Sequence, residues 1–206
     1  MPESVAPAPP ADDASAADVG GRIRMLRTQN GMSARALAAA LGISPSAVSQ
    51  IERGVLQPSV SRLIAITDAL GVPLASVFDA REDPGARASA PSEDFALQRS
   101  GQSATVRLES GVLFRRLSPG RTPGVEYFES TYPPGSSAHT DSQLFRHDGY
   151  EVGTMKSGEL TIDFDDERVV LRPGDAVSFP CSRPHRIHNT GSVEAVAQWL
   201  IVHADR

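Results

Sequence analysis

The stretch MSARALAAALGISPSAVSQIERG, residues 32–54, decides the reading of the N-terminal half. Leu37, Ala38 and Leu41 recur at helical spacing, and Val48 and Ile51 do so again after a break at Gly42. Apolar residues three and four apart share one helix face, so each run has one side to bury. Ser33 and Ser44 stand where a hydroxyl can accept from the free N–H groups of a first turn, and Pro45 suits the first helical position. Small Ala38 and Ala39 allow close packing of a neighbouring helix. The stretch therefore predicts two short helices, 33–40 and 44–53, joined by a tight turn.

Outward from this pair the same pattern continues. Ile23 and Leu26 predict a helix over 19–29, Leu63, Ile64, Ile66 and Leu70 one over 59–70, and 73–78 reads as a fifth. Gly31, Gly54 and Gly71 follow the apolar runs, where helices stop. Residues 18–80 thus read as an all-α domain of five helices. Residues 1–17, rich in Ala, Pro and Asp, cannot form a core and read as a disordered tail. Residues 81–94, REDPGARASAPSED, lose all periodicity and read as a flexible linker. From 95 to 206 short apolar runs such as GVEYFESTY, ELTIDF, DAVSFP and EAVAQWLIV alternate with Gly, Pro, Asp and Ser. About ten short strands in that length predict a compact all-β domain, barrel or sandwich.

Charge divides along the same boundaries. The chain carries −5 overall. Yet residues 18–80 hold six arginines, at 22, 24, 27, 35, 53 and 62, against Asp18, Glu52, Asp68 and Asp79. A modestly basic segment inside an acidic chain fits a small nucleic-acid-binding module beside a domain with another task. One cysteine, Cys181, excludes an internal disulfide framework. The sequence has neither a run of eighteen apolar residues nor a basic start followed by an apolar segment. It reads as soluble and cytoplasmic, with no membrane partner.

A supporting helix, a tight turn and a second helix are what a helix-turn-helix needs to lay its recognition helix in the major groove. The stretch LGISPSAVSQIERG, continued by QPSVSRLIAITDALGVPLASVF, resembles the lambda-repressor/Cro-like helix-turn-helix over about 60 residues. The resemblance implies a DNA face of Ser33, Arg35, Ser44, Pro45, Ser46, Ser49, Gln50 and Arg53. Gln50 would read a base, because its amide can pair bidentately with adenine. Ser33, Ser44 and Ser46 would contact phosphates. Ala34 stands where the family often has a Gln that contacts the backbone, which shifts that role to Arg35 or Arg53. The resemblance also implies an ion pair between Arg27 and Glu52 beneath the recognition helix.

The β half resembles the cupin fold, a double-stranded β-helix barrel. Its first signature reads FRHDGYEVGTMKSGEL, with Phe145, His147, Glu151 and Gly158, and its second GDAVSFPCSRPHRIHN, with Gly174, Pro180, His185 and Asn189. Cupins often hold one divalent metal through three His and one Glu. Here Phe145 replaces the first His and leaves His147, Glu151 and His185. Two His and one carboxylate can still form a facial triad for zinc, nickel, manganese or iron. The same residues equally suit a metal-free ligand pocket. His147 and Glu151 have the same strand parity and can both point inward. Tyr127 or Phe128, Met155, Phe179 and Trp199 are candidate pocket walls, and Arg115 or Arg116 a candidate anion partner. His139 reads as a solvated loop residue, His188 as outward-facing and Cys181 as a turn residue.

Helix-turn-helix followed by cupin resembles a family of bacterial transcriptional regulators rather than enzymes. The resemblance implies a homodimer through the cupin, a palindromic double-stranded operator and a small-molecule effector, sensed with or without metal. The alternative is a non-haem iron cupin enzyme of the phosphonate-epoxidase type.

Overall fold

The computed structural model describes residues 14–78, 95–99, 103–120, 122–139 and 143–203. The expected linker, 81–94, and most of the expected tail lie outside the described residues.

Among the described residues four α-helices come first: α1 Ala14–Gln29, α2 Ala34–Ala40, α3 Pro45–Glu52 and α4 Val60–Leu70. Helix α1 begins at Ala14, inside the expected tail, because Ala14, Ala16 and Ala17 are strong helix formers that extend its first turn. Hydroxyl caps start the other three. Ser33 accepts from Ala36 N–H, Ser44 from Ala47 N–H and Ser59 from Arg62 N–H. Residues 74–78 do not make the fifth α-helix that the sequence predicts. They form a 3₁₀ turn, Leu74–Phe78, in which Ser76 N–H donates to the Pro73 carbonyl. All five of its residues are buried. So short a segment gains more from burial than from one further helical hydrogen bond.

Nine strands follow among the described residues: β1 Thr105–Arg107, β2 Leu113–Arg116, β3 Val125–Tyr132, β4 Tyr150–Ser157, β5 Leu160–Phe164, β6 Arg168–Leu171, β7 Ala176–Pro180, β8 His185–His188 and β9 Ala195–Val202. They pair antiparallel in two sheets, β1-β2-β3-β9-β4-β7 and β6-β5-β8. Strict alternation sets the interior. Along β3, Glu126, Phe128, Ser130 and Tyr132 are buried, and along β9, Ala195, Ala197, Trp199 and Ile201. Trp199 fills the centre, its indole N–H donating to Ser130 Oγ at 2.8 Å. Gly153 makes room for it: a Cβ there would sit 2.2 Å from the indole ring.

The two halves share one core. Phe78, at the end of the 3₁₀ turn, packs on Phe128 at 5.2 Å and Phe114 at 6.4 Å between ring centroids. Helix α4 docks through its backbone. The first N–H groups of a helix need partners outside the helix, and Ser61 N–H finds the Ala138 carbonyl of the barrel at 3.0 Å.

Candidate functional site

The expected DNA face lies on α2, α3 and the residues between them. Ser33, Arg35, Ser44, Pro45, Ser46 and Arg53 are exposed, while Ser49 and Gln50 are half-buried. Ser33 and Ser44 spend their oxygen lone pairs on capping, at 3.0 and 3.1 Å. Each hydroxyl proton stays available to a phosphate. Arg53 Nε donates to the Ser49 carbonyl at 3.2 Å, which holds its guanidinium along α3.

Behind this face Arg27 of α1 grips Glu52 at the end of α3. Nε lies 2.5 Å from Oε1 and Nη2 3.0 Å from Oε2, and both side chains are buried. Arg27 Nη1 also donates to the Met32 carbonyl at 2.7 Å. A carboxylate at the negative end of a helix dipole is unfavourable alone, so the bidentate guanidinium gives Glu52 its partner and fixes α3 against α1. The hydrogen bond with Glu52 raises the guanidinium pKa further against the cost of burial.

The second cluster lies inside the barrel, where one antiparallel register runs through the segments 145–151 and 179–185. Phe145 and His185 exchange both backbone hydrogen bonds at 2.9 Å, and Tyr150 and Glu151 pair with Pro180 and Phe179. Between them Cys181 N–H donates to the Gly149 carbonyl at 2.9 Å, and His147 N–H to the Cys181 carbonyl at 3.1 Å. The irregularity sits at Gly149, whose φ of +113° an L side chain rarely adopts. The register brings His147, Glu151 and His185 together. The His185 Nε2 to Glu151 Oε2 distance is 3.8 Å, and the His147 and His185 rings are 5.5 Å apart.

Cys181 sits in the turn that follows β7, as expected, and its side chain joins His147 and Glu151. Its side chain is fully buried, and ligand atoms of His147, Glu151 and Cys181 all lie within 4.8 Å of one another. Its backbone bonds to Gly149 and His147 hold the turn against the barrel and keep the thiol covered. The expectation for His139 is corrected. Both its ring nitrogens are shielded from solvent, and it lines the cavity beside Phe145. His188 lies on the opposite face from His185, where Asp163 receives His188 Nε2 at 2.9 Å and Arg168 and Arg186 at 2.5 Å. Of the candidate walls, Phe128, Met155, Phe179 and Trp199 are buried. Tyr127 turns outward to Gln198, and Arg115 pairs with Glu129.

Burial governs the electrostatics. It pushes the Glu151 carboxyl up to about 8. Burial, then the neighbouring His185, pushes His147 down to about 4, and burial lowers His185. Burial, with the Glu151 charge, raises the Cys181 thiol. Burial thus favours the uncharged form of each group.

Its parts suit a metal ion. His147 Nδ1 lies 3.1 Å from the Asp148 carbonyl and His185 Nδ1 2.8 Å from the Arg183 carbonyl. Carbonyls only accept, so in the neutral rings both protons sit on Nδ1 and both Nε2 lone pairs are free. This is the arrangement that metal-binding histidines use. Glu151 Oε2 is buried with no hydrogen-bond partner among the described residues, and such a group calls for a partner. The cavity between them is about 30 Å³, room for an ion or about one water. Val60, Ser61 and Ile64 of α4 form one of its walls.

The helix-turn-helix family profile matches residues 23–77, and the cupin domain profile matches residues 128–203. The chain thus carries a helix-turn-helix domain followed by a cupin domain. It is 27% identical over 173 residues to the HTH-type transcriptional regulator PuuR of Escherichia coli, a match covering 84% of this chain and 88% of that one. A helix-turn-helix family transcriptional regulator from Vibrio cholerae shares the fold, with a TM-score of 0.64 at 22% identity over 92% of this chain and 97% of that one. Hydroxypropylphosphonic acid epoxidase from S. wedmorenis aligns more loosely, with a TM-score of 0.45 at 18% identity over 92% of this chain and all of that one, 100%. That likeness says nothing about chemistry. Among the described residues no helix is long and apolar enough to cross a membrane.

Proposed function

We propose that this regulator binds a two-fold DNA site as a homodimer joined through its barrels, and that occupancy of the barrel site changes its grip on DNA. Residues 18–80 are its DNA-binding unit and 95–206 its sensing unit. The DNA contacts fall to Ser33, Arg35, Ser44, Pro45, Ser46, Ser49, Gln50 and Arg53.

One observation carries the coupling: a run of hydrogen bonds links the barrel site to the turn of the helix-turn-helix. His185 lies on β8, where the Ile187 carbonyl accepts from Ala138 N–H at 2.9 Å. The Ala138 carbonyl accepts from Ser61 N–H of α4 at 3.0 Å. Next in α4, Arg62 Nη1 donates to the carbonyl of Leu41, the C-cap of α2, at 3.0 Å. Volume adds to this. Sites for organic ligands are typically about 300–1,000 Å³, and the barrel cavity is about 30 Å³ with α4 in place. An organic effector therefore enters only as Val60, Ser61 and Ile64 move, and moving α4 disturbs the turn before α3. A ligand that prefers one α4 position shifts DNA affinity by that preference. His147, Glu151 and His185 would hold a divalent cation, which when bound supplies a fixed positive charge and a Lewis-acid centre.

Dimerisation draws support from the outer sheet face. Tyr150, Val152 and Val202 are exposed there, with Tyr150 opposite Val202 and Val152 opposite Leu200. The same patch on a second copy would cover it across a two-fold axis. Selection from a random DNA pool tests the reading. Enriched sites should hold inverted half-sites about 34 Å apart, one helical turn. Enrichment of single half-sites, or of none, would contradict it.

A further inference from the structure

We propose that Cys181 is a metal ligand, and that His147, Glu151, His185 and Cys181 form a four-donor zinc site. The inference rests on the reading that the barrel holds a metal and adds the donor that sequence comparison does not supply. Phe145 occupies one strand position facing the site and offers no ligand atom; it stacks on His147 at 5.6 Å between centroids. The facing segment provides another donor. Cys181 is held there by two backbone hydrogen bonds, to Gly149 and from His147, and its side chain has no exposed surface and lies within 4.8 Å of ligand atoms of His147 and Glu151. Glu151 Oε2, buried and without a partner, points to a ligand independently of the cysteine. It lies beside His185 Nε2, and its carboxylate belongs to the group with His147 and Cys181.

The donor set selects the ion. A soft thiolate with imidazoles and a carboxylate suits zinc better than magnesium, calcium or manganese, which take oxygen donors. The number of donors bears on the task. Closed zinc sites use four protein ligands, whereas catalytic ones keep a position open. Four ligands from this chain leave none open, which fits a site that sets the shape of the barrel mouth beside α4. On binding, the thiol S–H and the Glu151 O–H give way to bonds with the metal, and both protons leave to solvent.

Cobalt(II) is the probe, because zinc is spectroscopically silent and cobalt adopts the same coordination. The full chain is stripped with chelator and titrated with Co²⁺. Cys181 is the only cysteine of the chain, so a thiolate-to-cobalt charge-transfer band in the near ultraviolet has no other source. The expected result is that band, saturating at one equivalent, together with intense tetrahedral d–d bands and displacement by zinc. Cys181→Ser should abolish the charge-transfer band and weaken binding more than about 100-fold, since loss of an outer-shell partner alone costs about 10–100-fold. In the wild type, d–d bands without charge transfer would overturn the ligand role of Cys181 and leave the triad as the metal site. No bound cobalt at all would overturn the metal reading with it. The wild-type spectrum decides between these whatever the variant's stability.

Discussion

The two polar surfaces of this molecule are built under opposite conditions. On the helical face Ser33, Arg35, Ser44, Ser46 and Arg53 stand in solvent; within the barrel Glu151, His185 and Cys181 are buried. The exposed face keeps its charge, so its affinity for phosphates is long-ranged and screened by salt. In the buried site burial works against charge, raising Glu151 and lowering both histidines. The first surface therefore suits scanning a polyanion and the second a selective, saturable response. Between them lies α4, which bonds to the barrel through Ser61 and to the α2 cap through Arg62.

Substitutions can separate the two. The largest effect is expected from Glu52→Ala, which leaves Arg27 buried without its carboxylate. Breaking a buried pair costs about 3 kcal/mol or more, so chemical denaturation should show that loss, and DNA binding should fail with it. Gly153→Ala strikes the other half. A Cβ 2.2 Å from the Trp199 ring overpacks the barrel and costs about 1–3 kcal/mol. The change should appear in tryptophan fluorescence and denaturation. If the halves were independent, DNA affinity would survive it unchanged; the shared core at Phe78 predicts a weakened response. Gln50→Ala should leave stability within about 0.5 kcal/mol while costing about 1–2 kcal/mol of affinity at one base position, read by titrating the selected site and its single-base variants. Smallest is Ser44→Ala, which removes one cap for about 1 kcal/mol of stability, seen as a lower melting temperature.

Local information was legible in the sequence, and long-range information only where parity carried it. Ser33 and Ser44 act as caps because capping depends on residues three apart, and the α3 run could be read for the same reason. His147 and Glu151 meet as their parity suggested, although a bend at Asp148 and Gly149 separates His147 from β4 and the bond from His147 N–H to the Cys181 carbonyl holds it in place. Cys181 was legible as a turn residue, but its burial was not, because it depends on backbone bonds to Gly149 and His147 more than thirty positions away. His139 and the docking of α4 had no such signal. The partner of Ser61 is a backbone carbonyl 77 positions away, which any residue could supply. The 3₁₀ form of 74–78 escaped because apolar spacing in five residues fits either helix type.

The coupling through α4 is tested most directly by DNA affinity at a selected operator with and without saturating zinc, in wild type and in His147→Ala. Coupling free energies of about 1–3 kcal/mol correspond to about 5–150-fold. Zinc should shift wild-type affinity by at least about fivefold and leave His147→Ala unmoved. Zinc that binds the wild-type barrel stoichiometrically yet leaves its DNA affinity unchanged would contradict the coupling.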